Sequence, residues 1–159
     1  MPNFIEMNRW GKDHWGTLAY AETCSVEGQH LHLERMRCDP TRHPLLASSR
    51  ITYGATKYPT YLKDEVLQSN HDDWDCLYDA ACEGLITLHG FPEDFVINIV
   101  PGKRGQIFPN VKRKKNSLGY EWGGKPVVKF TELGFKVIAE LRKHKANGGS
   151  FGTFEYQKI

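Results

Sequence analysis

His71-Asp-Asp-Trp-Asp-Cys-Leu-Tyr-Asp-Ala-Ala-Cys-Glu-Gly-Leu-Ile86 is the best-patterned stretch of the chain. Trp74, Leu77, Tyr78, Ala81 and Leu85 recur at helical spacing and make one apolar stripe, so residues 71–83 read as a helix with Gly84 at its exit. Ser69 or Asn70 can cap it, and its early aspartates suit the positive end of the helix dipole. Asp72, Asp75, Asp79 and Glu83 fall opposite the stripe, where the expectation is a solvated acidic face. With no Lys or Arg, such a helix should be repelled by phosphate.

Upstream, residues 59–67 read as a shorter helix opened by Pro59, with Tyr58, Leu62 and Val66 on one side. Gln68-Ser69-Asn70 breaks it from the next helix. Downstream, residues 95–100 and 126–130 read as two strands, separated by a segment too long for an ordinary hairpin loop. Thr131 then caps a last helix with Leu133, Val137 and Leu141 inward and Ile138 at the margin. Arg142, Lys143 and Lys145 occupy its final turn, and Gly148-Gly149 ends it.

Two stretches, Leu77 through Gly84-Leu85-Ile86 and Val127-Val128-Lys129-Phe130-Thr131-Glu132-Leu133-Gly134, resemble MarR-like winged-helix regulators. The resemblance spans residues 58–146. It implies an α+β winged helix-turn-helix with an extended basic wing and an N-terminal helical arm, in a family that is often dimeric and DNA-binding. The acidic helix departs from that pattern, because a recognition helix normally enters the major groove. The chain's general style is also similar to that of small bacteriophage and plasmid accessory proteins, which often bind and inhibit another protein.

On this reading residues 1–57 are an arm, helix and loop packed on the core, 58–146 the core, and 147–159 a tail with Phe151, Phe154 and Tyr156 available to dock. In the arm, residues 13–27 read as a helix with Asp13 as cap and Gly28 past its end. Trp15, Leu18, Ala19 and Val26 form its inner face, on which Glu22 intrudes. Leu31 and Leu33 alternate with polar residues like a short strand, and the prolines at 40 and 44 bring a turn.

A net charge of +2 is too small to mark the whole chain as a nucleic-acid binder, but its distribution is uneven. Residues 101–125 carry seven cations against Glu121, a net +6, which leaves −4 for the rest. No apolar run approaches the roughly 20 residues that cross a bilayer. With no signal-peptide pattern at the start, the four cysteines read as reduced thiols or metal ligands, and the expected location is the cytoplasm.

Three constellations bear on function. Lys103, Arg104, Lys112, Arg113, Lys114 and Lys115, interleaved with Phe108, Tyr120 and Trp122, combine cations and stacking surfaces as nucleic-acid binders require. Cys38 and His43, with His71 and Cys76, form mirrored pairs of zinc-type donors, although not at a recognised finger spacing. The acidic positions Asp72, Asp75, Asp79 and Glu83 suit a basic protein partner. Beyond those metal candidates no cofactor is expected, and no glycine-rich phosphate loop, nucleophile elbow or His-Glu-x-x-His suggests an enzyme. The leading expectation is a wing that binds nucleic acid in a transcriptional or phage accessory factor. The other is a protein-binding inhibitor or adaptor of a nucleic-acid-processing complex, working through helix 71–84.

Overall fold

A computed structural model describes residues 5–32, 36–38, 59–67, 71–91 and 126–156, and the backbone strands 113–116 and 119–122. Their architecture is mixed α+β. Three helices, α1 (Lys12–Val26), α2 (Asp73–Cys82) and α3 (Glu132–Ala146), accompany three two-stranded antiparallel ladders. The ladders pair β1 (Thr60–Tyr61) with β2 (Val66–Leu67), β3 (Ile86–His89) with β6 (Val127–Phe130), and β4 (Arg113–Asn116) with β5 (Gly119–Trp122).

The central helix forms where its periodicity places it, but its cap lies later than Ser69 or Asn70. Asp72 accepts from the Asp75 N–H and Asp75 accepts from the Asp72 N–H, both at 3.0 Å, which closes a capping box built from two carboxylates. At the exit, Gly84 takes φ +81°, and the N–H groups of Gly84 and Leu85 donate to the carbonyls of Ala81 and Ala80. That paired closure requires a left-handed residue, which glycine adopts without Cβ strain. The chain then enters β3 directly. The strand partner of 127–130 is therefore Ile86–His89, in the register Ile86↔Phe130 to His89↔Val127. The expected strand at 95–100 lies outside the described residues.

Residues 59–67 are a hairpin where the sequence suggests a helix. Thr60 pairs with Leu67 and Tyr61 with Val66, while the Leu62 N–H donates to the Glu65 carbonyl across the turn. Thr, Tyr and Val suit extended backbone, and the tertiary setting decides the outcome. Thr60 is fully buried with its hydroxyl on the His71 carbonyl, and Leu62 bridges to Trp10. Helical spacing would put Leu62 and Val66 on one side, yet Leu62 is buried and Val66 exposed. The first helix of a helix-turn-helix is thus absent from 59–67.

α1 is capped two residues early, by Gly11 rather than Asp13, and Asp13 instead accepts from the Tyr61 N–H. Its buried side is His14, Trp15, Leu18, Ala19, Ala21 and Cys24, whereas Val26 is 67% exposed. Glu22 turns outward enough to pair with Arg142 of α3 at 2.6 Å. α3 also rotates relative to expectation: Gly134, Val137, Ile138 and Leu141 are buried, and Leu133 is 37% exposed. Gly134 explains the rotation. A Cβ there would sit 1.9 Å from the Leu85 carbonyl oxygen, so the helix backbone itself is the contact surface.

One cluster of buried side chains runs from Ile5 and Met7 through Trp15, Trp74, Leu77, Leu88, Val128 and Leu141 to Phe154. It draws on all three segments separated in the sequence reading, and α1 packs directly on α2, β6 and α3. Among the described residues no helix is long and apolar enough to cross a membrane.

Candidate functional site

The acidic side of α2 is interior. Asp72, Asp75, Asp79 and Glu83 are each 5% exposed or less, so the solvated partner-binding face expected there does not exist. Each carboxylate has a defined task. Asp72 and Asp75 cap one another's backbone, Glu83 Oε2 accepts the Met7 N–H at 2.7 Å, and Asp79 Oδ1 accepts the Ile5 N–H at 3.1 Å. The stripe resembles a surface because its residues are charged, but it docks the N-terminal segment. Buried carboxylates are tolerated when hydrogen bonds replace their water.

Asp79 is the centre of a polar cluster. Its Oδ2 lies 2.8 Å from His14 Nε2 and 2.9 Å from His71 Nε2, so one oxygen holds two imidazoles. His71 Nδ1 is 3.3 Å from Thr60 Oγ1 and 4.0 Å from Cys76 Sγ. Trp10 stacks on His14 at 5.0 Å between ring centroids, and its indole N–H donates to the Ile5 carbonyl. Burial raises the Asp79 carboxyl to about 6, against the opposing pull of its His14 hydrogen bond. Burial also lowers His14 below its ordinary value, outweighing the attraction of Asp79. Burial thus disfavours the charged form of both partners.

Cys76, His71 and Asp79 connect as thiol, imidazole and carboxylate, the order of a nucleophilic triad. The thiol is not set up for that chemistry. It is 2% exposed, and burial reinforced by the charges of Asp73 and Asp79 pushes its pKa well above the usual value. A thiol nucleophile needs thiolate character and access, and this one lacks both.

Of the four metal donors suggested by spacing, His71 and Cys76 meet. Cys38 is buried, and His43 lies outside the described residues. His14 completes a trio that the spacing did not suggest: one nitrogen from each histidine and the Cys76 sulfur lie within 4.8 Å of one another. The signal for His14 was its place on the buried face of α1, beside Trp15 and one turn before Leu18. No disulfide joins any of the four cysteines.

Of the basic candidates, Arg113, Lys114 and Lys115 lie on β4, while Lys103, Arg104 and Lys112 are outside the described residues. The β4–β5 register sets Arg113 opposite Trp122, Lys114 opposite Glu121 and Lys115 opposite Tyr120. Directly opposed residues in an antiparallel ladder share a face, and faces alternate along each strand. Positions 113, 115, 120 and 122 consequently lie on one face, and 114 and 121 on the other.

Fold and site together define an α+β chain with a buried histidine–carboxylate–thiol cluster and a basic, aromatic hairpin. No protein-family model, curated protein or solved structure matches it.

Proposed function

We propose that the chain binds nucleic acid, preferentially single-stranded, through the β4–β5 hairpin acting as a wing between β3 and β6. The observation that carries this reading is the register. Arg113 opposite Trp122 and Lys115 opposite Tyr120 put two cationic and two aromatic positions on one hairpin face. Single-strand binders need this combination, because cations follow the phosphates while rings stack on bases whatever their sequence. Lys103, Arg104 and Lys112 add charge on the approach to the hairpin in the sequence. The adaptor reading loses ground, since the carboxylates it relied upon are interior.

The test is fluorescence anisotropy with single- and double-stranded oligonucleotides over a range of salt concentrations. Replacing Lys112, Arg113, Lys114 and Lys115 with Ala should weaken binding to all sequences and reduce the salt slope by about 0.7–0.9 per lost phosphate contact. If that variant binds as tightly as the parent, the hairpin is not a nucleic-acid element.

A further inference from the structure

We propose that His14, His71 and Cys76 form a buried site for one late first-row divalent metal ion such as zinc, with Asp79 as the outer carboxylate that orients both imidazoles. This does not depend on nucleic-acid binding. It also differs from the set suggested by spacing, because His14 comes from a different helix.

Four observations converge. First, two imidazoles and a thiol are the borderline and soft donors that such ions prefer. Their candidate atoms lie within 4.8 Å of one another, and all three residues are buried. Tetrahedral zinc, with Zn–N about 2.0 Å and Zn–S about 2.3 Å, brings its ligand atoms to about 3.3–3.6 Å apart. Side-chain adjustment of about an ångström thus closes the trio around an ion.

Second, Asp79 engages His71 Nε2, and Nδ1 on the other edge of the ring lies 3.3 Å from Thr60 Oγ1 and 4.0 Å from the Cys76 sulfur. A carboxylate on the far nitrogen of a ligating histidine is the usual means of fixing its tautomer and increasing its basicity. Third, His14 Nδ1 is buried without a hydrogen-bond partner in the described structure. Burial desolvates that nitrogen with nothing in return, and it is the one His14 nitrogen that Asp79 does not already hold. Fourth, charge balances. A thiolate at Cys76 and the Asp79 carboxylate together neutralise a divalent ion, which favours burial of the assembly. Binding releases the thiol proton to solvent and forms the metal–sulfur bond, with no change of oxidation state.

The full-length chain, reduced, chelator-stripped and kept anaerobic, is titrated with Co²⁺ as a spectroscopic probe. One equivalent per chain should give a thiolate-to-cobalt charge-transfer band and the intense visible bands of a tetrahedral ion, and zinc should bleach both. Cys76→Ser should abolish the charge-transfer band, and Asp79→Asn should weaken affinity about 10–100-fold. Should either variant fail to fold, the triple variant Cys24→Ser, Cys38→Ser, Cys82→Ser, which retains Cys76 as its sole thiol, must keep the band. The proposal is overturned if the parent shows no band at stoichiometric cobalt, if zinc leaves it unchanged, if it survives in Cys76→Ser, or if it disappears from the folded triple variant.

Discussion

His14 of α1 and Asp79 of α2 lie 2.8 Å apart with their side chains buried, and the same Asp79 oxygen also holds His71. This contact joins the N-terminal helix to the central one through a polar link inside the core. Glu83 to Met7 and Asp79 to Ile5 extend the junction along the helix.

Asp79→Ala should therefore destabilise the protein severely, by about 3 kcal/mol or more, since two histidines and a backbone N–H lose their acceptor and each buried unsatisfied group costs about 1–3 kcal/mol. Asp79→Asn should cost less, because its carbonyl can still accept. Urea denaturation of metal-free protein measures both. A loss below 1 kcal/mol for the alanine variant would mean that the junction is not formed in solution.

The rotation of α3 separates two substitutions. Ile138→Ala should cost about 2–5 kcal/mol, because Ile138 is 4% exposed. Leu133→Ala, at a 37% exposed position, should cost much less. The reverse order would restore the inner face suggested by the sequence.

Gly134→Ala should destabilise by about 1–3 kcal/mol or more, since the new methyl meets the Leu85 carbonyl rather than a side chain that can swing aside. Thermal melts would show it. An unchanged melting temperature would mean that α3 stands further from β3.

His89 supplies a pH signature away from the buried cluster. Its pKa is lowered, first by burial and then by Lys129 on the paired strand. The neutral ring is favoured in the folded state. Its contribution to stability is therefore present above the ordinary value of 6.5 and is lost as pH falls through the lower folded value. An NMR titration should place the midpoint below 6.5, and Lys129→Gln should raise it. A parent midpoint at or above 6.5 contradicts this environment.

The extents of the three helices were legible from periodicity and from two end signals, while the N-caps of α1 and α2 and the inner face of α3 were not. α2 has its apolar stripe and Gly84, and α3 has Thr131, which accepts the Gly134 N–H at 3.0 Å. The hairpin at 59–67 was not legible. Its propensities are weak, and the deciding contacts, Thr60 to the His71 carbonyl and Leu62 to Trp10, come from elsewhere in the chain. The candidate site was half legible. His71 and Cys76 are neighbours on or beside one helix, whereas His14 reaches them only through the packing of α1 on α2. The charged stripe misled for a physical reason: composition marks a carboxylate as solvent-seeking, and only tertiary structure reveals the backbone N–H groups that replace the water.

Carboxyl footprinting of the native protein, with carbodiimide coupling read by mass spectrometry, tests most directly whether the acidic side of α2 faces inward. Asp64 and Glu140, both exposed, should be modified readily, while Asp72, Asp75, Asp79 and Glu83 should react only after denaturation. Modification of Asp79 and Glu83 at the rate of Asp64 in the folded protein would contradict the buried junction and return those carboxylates to the surface.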